Sequence, residues 1–378
     1  MLASIKKILK NAYKNARENF FFLLYEKPKY LKKKKLNGFF AKNLRIQNRY
    51  YKIYELNNGR VFTDKNDITA YITKDNYLTE GSLQFKKKIS VNSINQEISK
   101  NLVLKYGTTN FKKKINGNVL SLLSGGASRD NFTHWFTDVI PRIILFKKKY
   151  KIRLIDKFYV PSLRYNFQLE SLRSLNIKFK QIISSENIKH IEAKKIFYTS
   201  HPCHFYPKLV QKWSINALRD IYIPKKLNKN KKYSYVFIDR DQRKFLNKKN
   251  FKKFSYLRIL LNENEIKNYL KSKGFKIIKP ENFSFKEQIK IIYSAKIIIG
   301  LYGAAMMMLA FCNLKAKIIE IMPRKSGNDF KNISKNLNLT HEQIRIKPKF
   351  KSSIPQNGLI ICDLNLIKKK LIQFGMKL

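Results

Sequence analysis

Hydrophobic and polar positions change their period several times along the chain. At the amino terminus Ile5, Ile8, Leu9, Ala12, Tyr13 and Ala16 recur at helical spacing, with Lys6, Lys7, Lys10, Lys14 and Arg17 around them. That pattern predicts a basic amphipathic helix, and a Lys-rich strip follows it. Between 44 and 104 the runs shorten. RIQNRYYKIYEL, RVFT, ITAYITKDNYL and VLKYG are rich in Tyr, Ile, Val and Thr, with natural turns at 57–59 and 74–76, so this stretch reads as β-rich. GNVLSLLS (117–124) reads as a buried strand that ends in the glycines 125–126. DNFTHWFTDVIPR (130–142) then starts a helix that continues through Phe146. IDKFYV (155–160) and AKKIFY (193–198) are further strands, separated by the helical FQLESLRSL, and WSINALRDIYI (213–223) is an amphipathic helix ending near Pro224.

The polar stretch 225–232 is the best linker, and beyond it the pattern becomes regular. YSYVFI (233–238), FKIIKP (275–280), KIIIG (296–300) and AKIIEI (316–321) are strands. Helices opened by Asn262 to Glu265, by Ser284 to Glu287 and by Ala304 alternate with them. Strands alternating with one-face helices imply βαβ units and a parallel sheet. The expected architecture is α/β, in two lobes with a β-rich preface. The expected divisions are a basic amphipathic segment 1–40, an N-terminal lobe 41–224, a C-terminal lobe 233–350 and a tail helix in 351–378. In such folds ligands bind at the carboxyl ends of the strands.

Composition changes this picture little. The formal net charge of +54 is extreme. It reads either as a footprint for anionic partners or as a bias towards Lys, Asn and Ile. The lysine runs at 32–35, 86–88, 112–114, 147–149 and 368–370 are spread along the whole chain, whereas a nucleic-acid module would gather them, so no specific nucleic acid is expected. Cys203, Cys312 and Cys362 are odd in number and far apart, which gives no disulfide framework and points to a reducing cytoplasm. No run reaches the ~18–20 apolar residues that a spanning helix needs, and no signal peptide is evident. The amino-terminal helix therefore either packs on its domain or lies on an anionic membrane surface through residues 1–36.

The candidate chemistry is scattered. Gly300-Leu301-Tyr302-Gly303-Ala304-Ala305 follows a strand and opens a helix; it is either a phosphate-accepting turn or a plain tight βα turn. Arg240, just past a strand end in YVFIDRDQR, can fork onto a diphosphate or pair with Asp239 or Asp241. Glu287 reads as the acid of a capping box with Ser284, and Asn262 with Glu265 has the same form. Glu320 lies in an apolar strand and needs a partner, either a ribose hydroxyl or a Lys. His201-Pro202-Cys203-His204 clusters soft ligands, but no second Cys pair supports zinc, so no metal is expected. The chain also lacks an acidic Asp-x-Asp loop to hold a divalent ion on a diphosphate. In DNFTHWFTDVIPR, His134 and Asp138 share a helix face, with Arg142 one turn further on. His134 can exchange a proton near neutral pH and Asp138 can orient it or act itself, or the pair merely bridges a helix to a sheet.

These blocks, in this order, resemble glycosyltransferase family 61. Asn131, His134, Trp135, Asp138, Pro141 and Arg142 look like its Asn-x-x-His-Trp…Asp…Pro-Arg segment. Arg240, Asn262-Glu263, Gly274-Phe275, Ser284 to Gln288, Gly303-Ala304 and Glu320-Ile321-x-Pro323 follow its later blocks. The resemblance spans about 60–325. It implies two Rossmann-like lobes (GT-B-like) and a nucleotide-sugar co-substrate with no other cofactor. It also implies inverting, metal-independent transfer to a cell-surface polysaccharide or lipid-linked glycan, in the cytoplasm or on the inner face of the membrane. By the same resemblance Asp138 or His134 is the catalytic base, and Asn131, Trp135 and Arg142 shape the acceptor side. Arg240, Arg243, Tyr302, Gly303, Ala304 and Glu320 would hold the donor. The chain departs from the family at Asp239 (usually Ser), Tyr302 (usually His), Ala305 (usually Gly) and Met308 (usually Asn). An inactive sugar-binding homologue and a basic nucleic-acid-binding protein are the alternatives.

Overall fold

The chain folds as a mixed α/β protein. The computed structural model describes residues 2–32, 35–64, 68–85, 94–95, 98–124, 129–205, 208–227, 230–240 and 255–377. By their internal contacts these fall into two units, one of 1–168 with 176–207 and one of 169–175 with 208–378.

The first unit is built on a ten-stranded sheet. Its strands are β1 (Phe39–Ile46), β2 (Arg49–Asn57), β3 (Arg60–Thr63), β4 (Ile68–Ile72), β5 (Leu83–Phe85), β6 (Ile94–Asn95), β7 (Lys113–Ser121), β8 (Lys157–Val160), β9 (Ile182–Ser184) and β10 (His190–Thr199). The preface β1 to β6 is antiparallel, with left-handed residues at Gln47, Asn58 and Asn76 making the turns between or after its strands. One run departs from its β-rich reading, because Val103–Tyr106 of VLKYG is a short helix. The Asn101 side chain accepts the Val103 N–H at 3.1 Å, and Gly107, at φ 69°, closes the turn onto the Val103 carbonyl.

From β7 onwards the sheet is parallel, in the order β9-β8-β7-β10. Numbered from β7, that is the 3-2-1-4 order of half a dinucleotide-binding sheet. Val119, Leu123, Tyr159, Ile191, Ile196 and Tyr198 form the core around it. The order reverses between β7 and β10. A crevice is therefore expected past their carboxyl ends, at Ser121 and Thr199.

The second unit holds a five-stranded sheet in the order β15-β13-β16-β17-β18, parallel throughout. Its strands are β13 (Tyr235–Ile238), β15 (Lys276–Ile278), β16 (Ile297–Leu301), β17 (Lys317–Pro323) and β18 (Thr340–Ile346). This is the other common doubly wound order, and its reversal lies between β13 and β16. All five residues of β16 are buried, which suits a strand covered on both faces. AAMMMLAF winds as a 3-10 rather than an α-helix, starting with a Met306 N–H bond to the Gly303 carbonyl at 2.8 Å.

The units part at 207/208, ahead of 225–232. Helix Lys212–Tyr222 belongs with the second unit, where Arg219 donates to the Ala310 and Cys312 carbonyls and Tyr222 packs edge-on to Phe285. Residues 351–378 hold the expected tail helix, Leu364–Gln373, and belong to the second unit. Within it β20 (Gly358–Ile360) pairs in parallel with β14 (Arg258–Leu260). Ile360, Cys362, Ile367, Leu371 and Phe374 share one core with Phe237 and Ile299. The Asn262 side chain is occupied there too, exchanging bonds with the Cys362 backbone at 2.8 and 3.0 Å, so it does not cap its own helix.

Candidate functional site

The helix that leaves β7 is not uniform. Asn131 caps it, its side chain accepting the N–H groups of Thr133 (2.9 Å) and His134 (3.3 Å). Residues Trp135–Val139 are wound as a π-helix, with the Ile140 N–H reaching back five residues to the Trp135 carbonyl. Helix Ile140–Lys147 then resumes the α form with Pro141 in its first turn. The proline explains the wide turn: it has no N–H for the carbonyl four residues back, and its ring crowds that carbonyl. The Thr137 carbonyl so released accepts the Cys203 thiol at 3.5 Å. The Asp138 carbonyl accepts Arg142 Nε at 3.0 Å.

Asp138 is buried and sits between two imidazoles. Its Oδ2 lies 2.6 Å from His134 Nδ1 and 3.7 Å from His201 Nε2, while Oδ1 accepts Thr137 Oγ1 at 2.6 Å and Cys203 Sγ at 3.6 Å. An ionised carboxylate accepts only, so His134 Nδ1 carries the proton in this bond and Nε2 carries the lone pair. The His134 side chain is 15% exposed against 3% for Asp138. Of the pair, the imidazole is the member that reaches solvent. Geometry therefore divides their roles: the carboxylate orients, and the imidazole can take a proton.

The other residues expected on the acceptor side are buried or hydrogen-bonded within the first unit. Trp135 is wholly buried, edge-on to Phe167. Arg142 is buried as well, and its Nη1 donates to the Thr199 carbonyl at 2.6 Å, tying the helix to the end of β10. Burial lowers its pKa. Asn131 is engaged as the cap. All of these lie at the β7/β10 reversal.

Asp138, His201 and Cys203 bring three possible metal-ligand atoms within 4.8 Å of one another. The hydrogen-bond directions do not suit a ligand set. His201 Nδ1 accepts the Cys203 N–H at 3.1 Å, so the neutral ring carries its proton on Nε2, the atom that faces Asp138. A ligating histidine instead donates from its second nitrogen and keeps the other lone pair for the metal. The His201 Nε2–H faces the Asp138 carboxylate at 3.7 Å, beyond hydrogen-bond distance, so it contributes through its dipole alone.

In the second unit the residues past β13 and β16 converge. Arg240 donates from Nη1 to the Tyr302 carbonyl at 3.1 Å. A Cβ on Gly303 would lie 2.8 Å from the Arg240 guanidinium carbon, so glycine is what lets the arginine lie across this turn. Arg258, at the start of β14, stacks over the Tyr302 ring at 4.9 Å. Its Nε is buried without a hydrogen-bond partner. Burial, helped by repulsion from Arg258, brings the Arg240 pKa down to about 10, and burial lowers that of Arg258 too. Two desolvated guanidinium groups that repel each other are stabilised by an anion. Sequence reading missed Arg258, whose only signal is to open the three-residue run RIL.

The unusual Asp239 is matched by a buried lysine. Lys267 Nζ lies 2.8 Å from Asp239 and 3.2 Å from Glu263. The Tyr302 ring is buried, with its hydroxyl donating to Asp329. Glu320, with no surface exposure, finds its partners in His341 (3.1 Å) and Gln343 (2.9 Å) rather than a Lys, while its Oε1 has no hydrogen bond. Glu287 closes the capping box with Ser284 as its spacing implies. Arg243 and Asp241 lie outside the described residues.

No curated protein matches the chain. The sequence model of a protein family described as "Glycosyltransferase 61" matches residues 132–319, about half of the chain. The matched span begins beside His134 and runs through the β13 and β16 turns to the end of the second unit's apolar run KII in β17. Family membership supports glycosyltransferase activity as a class, with a sugar donor and an acceptor. Through residues 132–319 the chain belongs to glycosyltransferase family 61.

Proposed function

We propose that the protein moves a sugar from a nucleotide-sugar donor to a hydroxyl of a cell-surface polysaccharide or lipid-linked glycan, with inversion and without a metal ion. The two parallel strand sets, each with its own order reversal, are what a GT-B-like pair of Rossmann-like lobes would contain. His134 is the base: its Nε2 takes the acceptor hydroxyl proton as that oxygen bonds to the anomeric carbon. The bond from the anomeric carbon to the diphosphate oxygen breaks, and the nucleoside diphosphate leaves with the electron pair. Arg240, Arg258 and the N–H groups at Gly303 and Ala304 carry its charge. Asp138 holds His134 in the required tautomer and stabilises the imidazolium formed. Cytoplasmic localisation follows from the donor class.

The 2.6 Å contact between His134 and the buried Asp138 carries this reading. Lys267 beside Asp239 favours an active enzyme over an inert homologue, because the added acid is compensated.

The test is a transfer and donor-hydrolysis screen over UDP-, GDP- and CMP-sugars, run on metal-free protein. His134→Ala should lower turnover by about 10²- to 10⁴-fold while donor affinity holds. Arg240→Ala and Arg258→Met should each weaken nucleotide binding by roughly tenfold or more. Binding without turnover in the wild type would establish a sugar-binding homologue instead. A strict need for added divalent ion would overturn the metal-free step.

A further inference from the structure

The amino-terminal helix α1 (Leu2–Tyr25) has two faces, and the protein body uses one of them. Lys14, Arg17, Phe21 and Tyr25 follow one another at three- or four-residue spacing and face the first unit. Lys14 lies over the Tyr106 ring, Arg17 Nε donates to the Thr109 carbonyl at 3.1 Å, and Phe21 packs edge-on to Phe111 at 5.1 Å. The Lys112 N–H donates to the Tyr25 hydroxyl at 3.0 Å. Each of these contacts fixes the rotation of the helix about its own axis.

With that rotation fixed, the apolar stripe read from the sequence points away from the body. At roughly 100° per residue, Ile5, Ile8, Leu9, Ala12, Tyr13, Ala16 and Leu23 fall in one sector, centred well away from that of Arg17 and Tyr25. The exposures agree: Ile8 and Leu9 are each 64% exposed, Tyr13 is 70% and Leu23 is 84%. Every residue from 4 to 16 is exposed. Packing on the domain is thus excluded as the purpose of the stripe. Such a contiguous exposed apolar strip marks a binding surface.

Charge identifies the partner. Lys6 borders the stripe beside Tyr13, Lys10 lies further round the helix, both are exposed, and α1 carries five basic residues against the single acid Glu18. Lys27, Lys29, Lys32 and Lys35 continue the basic strip beyond it, also exposed. A second copy of the chain would bring these charges against their like. An anionic bilayer accepts both parts, with apolar side chains entering the interface and lysine stems reaching up to lipid phosphates. Among the described residues no helix is long and apolar enough to cross a membrane, so this helix would lie in the surface.

We infer that α1 is an interfacial anchor that docks the protein on an anionic lipid bilayer through the stripe of Ile5, Ile8, Leu9 and Tyr13. This inference does not rest on the proposed transfer chemistry. The test is flotation of the full chain with phosphatidylcholine vesicles and with vesicles that also contain phosphatidylglycerol, at physiological salt. Wild type should bind the anionic vesicles at least about tenfold better than the neutral ones. The double variant Ile8→Gln/Leu9→Gln alters exposed side chains and keeps every charge, so it should fold and lose about tenfold of that binding. Lys6→Gln/Lys10→Gln should lower it as well. If Ile8→Gln/Leu9→Gln binds as well as wild type, diffuse charge does the work and the inference fails. Equal binding to neutral vesicles, or none to either, also overturns it. So does a concentration-dependent dimer in sedimentation that Ile8→Gln/Leu9→Gln abolishes.

Discussion

His134 and Asp138 divide one chemical task by burial alone. The carboxylate is enclosed by Thr137, Cys203 and two imidazoles, and the imidazole keeps an edge towards solvent. His190 shows the opposite use of the same residue type. It is fully buried, with Nδ1 donating to the Asn110 carbonyl at 2.8 Å and Nε2 beside Arg60 at 3.5 Å. Burial first, then the Arg60 and Lys112 charges, press its pKa down from 6.5 to about 3. Between those values the unfolded chain binds a proton that the folded chain refuses. Stability is therefore lost as pH falls below about 6.5, with a slope of up to ~1.4 kcal/mol per pH unit from this residue. His190→Gln can keep the bond to Asn110 and should flatten the fall in denaturant midpoint between pH 6 and 4. An unchanged slope would show that His190 is protonated in the folded chain.

Among the elements, the π-wound turn sets the site. Pro141 denies the Thr137 carbonyl its helical partner, and that carbonyl accepts the Cys203 thiol, while the Asp138 carbonyl accepts the Arg142 side chain. The Cys203 bond ties the helix to the loop after β10, and Arg142 Nη1, donating to the Thr199 carbonyl, ties it to the end of β10, so the proline indirectly positions the Asp138 carboxylate. Restoring the N–H with Pro141→Ala should let Trp135–Val139 rewind towards the α form, turning Asp138 on its axis. Transfer should fall by at least about tenfold, while the melting temperature holds or rises, since interior proline costs a helix ~3 kcal/mol. Full activity in Pro141→Ala would mean that β10, through Arg142, places the dyad unaided.

For the whole molecule, each unit's sheet reverses its order once, and candidate chemistry lies past each reversal: His134, Asp138 and His201 in the first unit, Arg240 and Gly303 in the second. The second unit depends on the carboxyl-terminal residues to close its core. Ile367 and Leu371 are wholly buried, each contributing about 1.5–3 kcal/mol of burial, beside β20 with its pairing to β14. Ending the chain at residue 350 should therefore strip hydrogen-exchange protection from Val236, Phe237, Ile298 and Ile299, strands far from the cut in sequence. Protection surviving there would make 351–378 an appendage after all.

Local periodicity was enough to reveal most strands and helices of both units, because each buries one face and so writes its period into the sequence. The spacing of His134 and Asp138 and the capping box at Ser284 were legible for the same reason: their partners lie within a turn. What spacing cannot carry is contact over long separations. Arg258 against Tyr302, Lys267 against Asp239, Arg142 against Thr199 and His201 against Asp138 join residues from different elements. Only the strand order decides that they meet. The tertiary fold also decided that Trp135 and Arg142 are buried and that the stripe of α1 faces outward. A sequence states that an amphipathic face exists, but whether that face meets protein or solvent is fixed by which side the rest of the fold takes up.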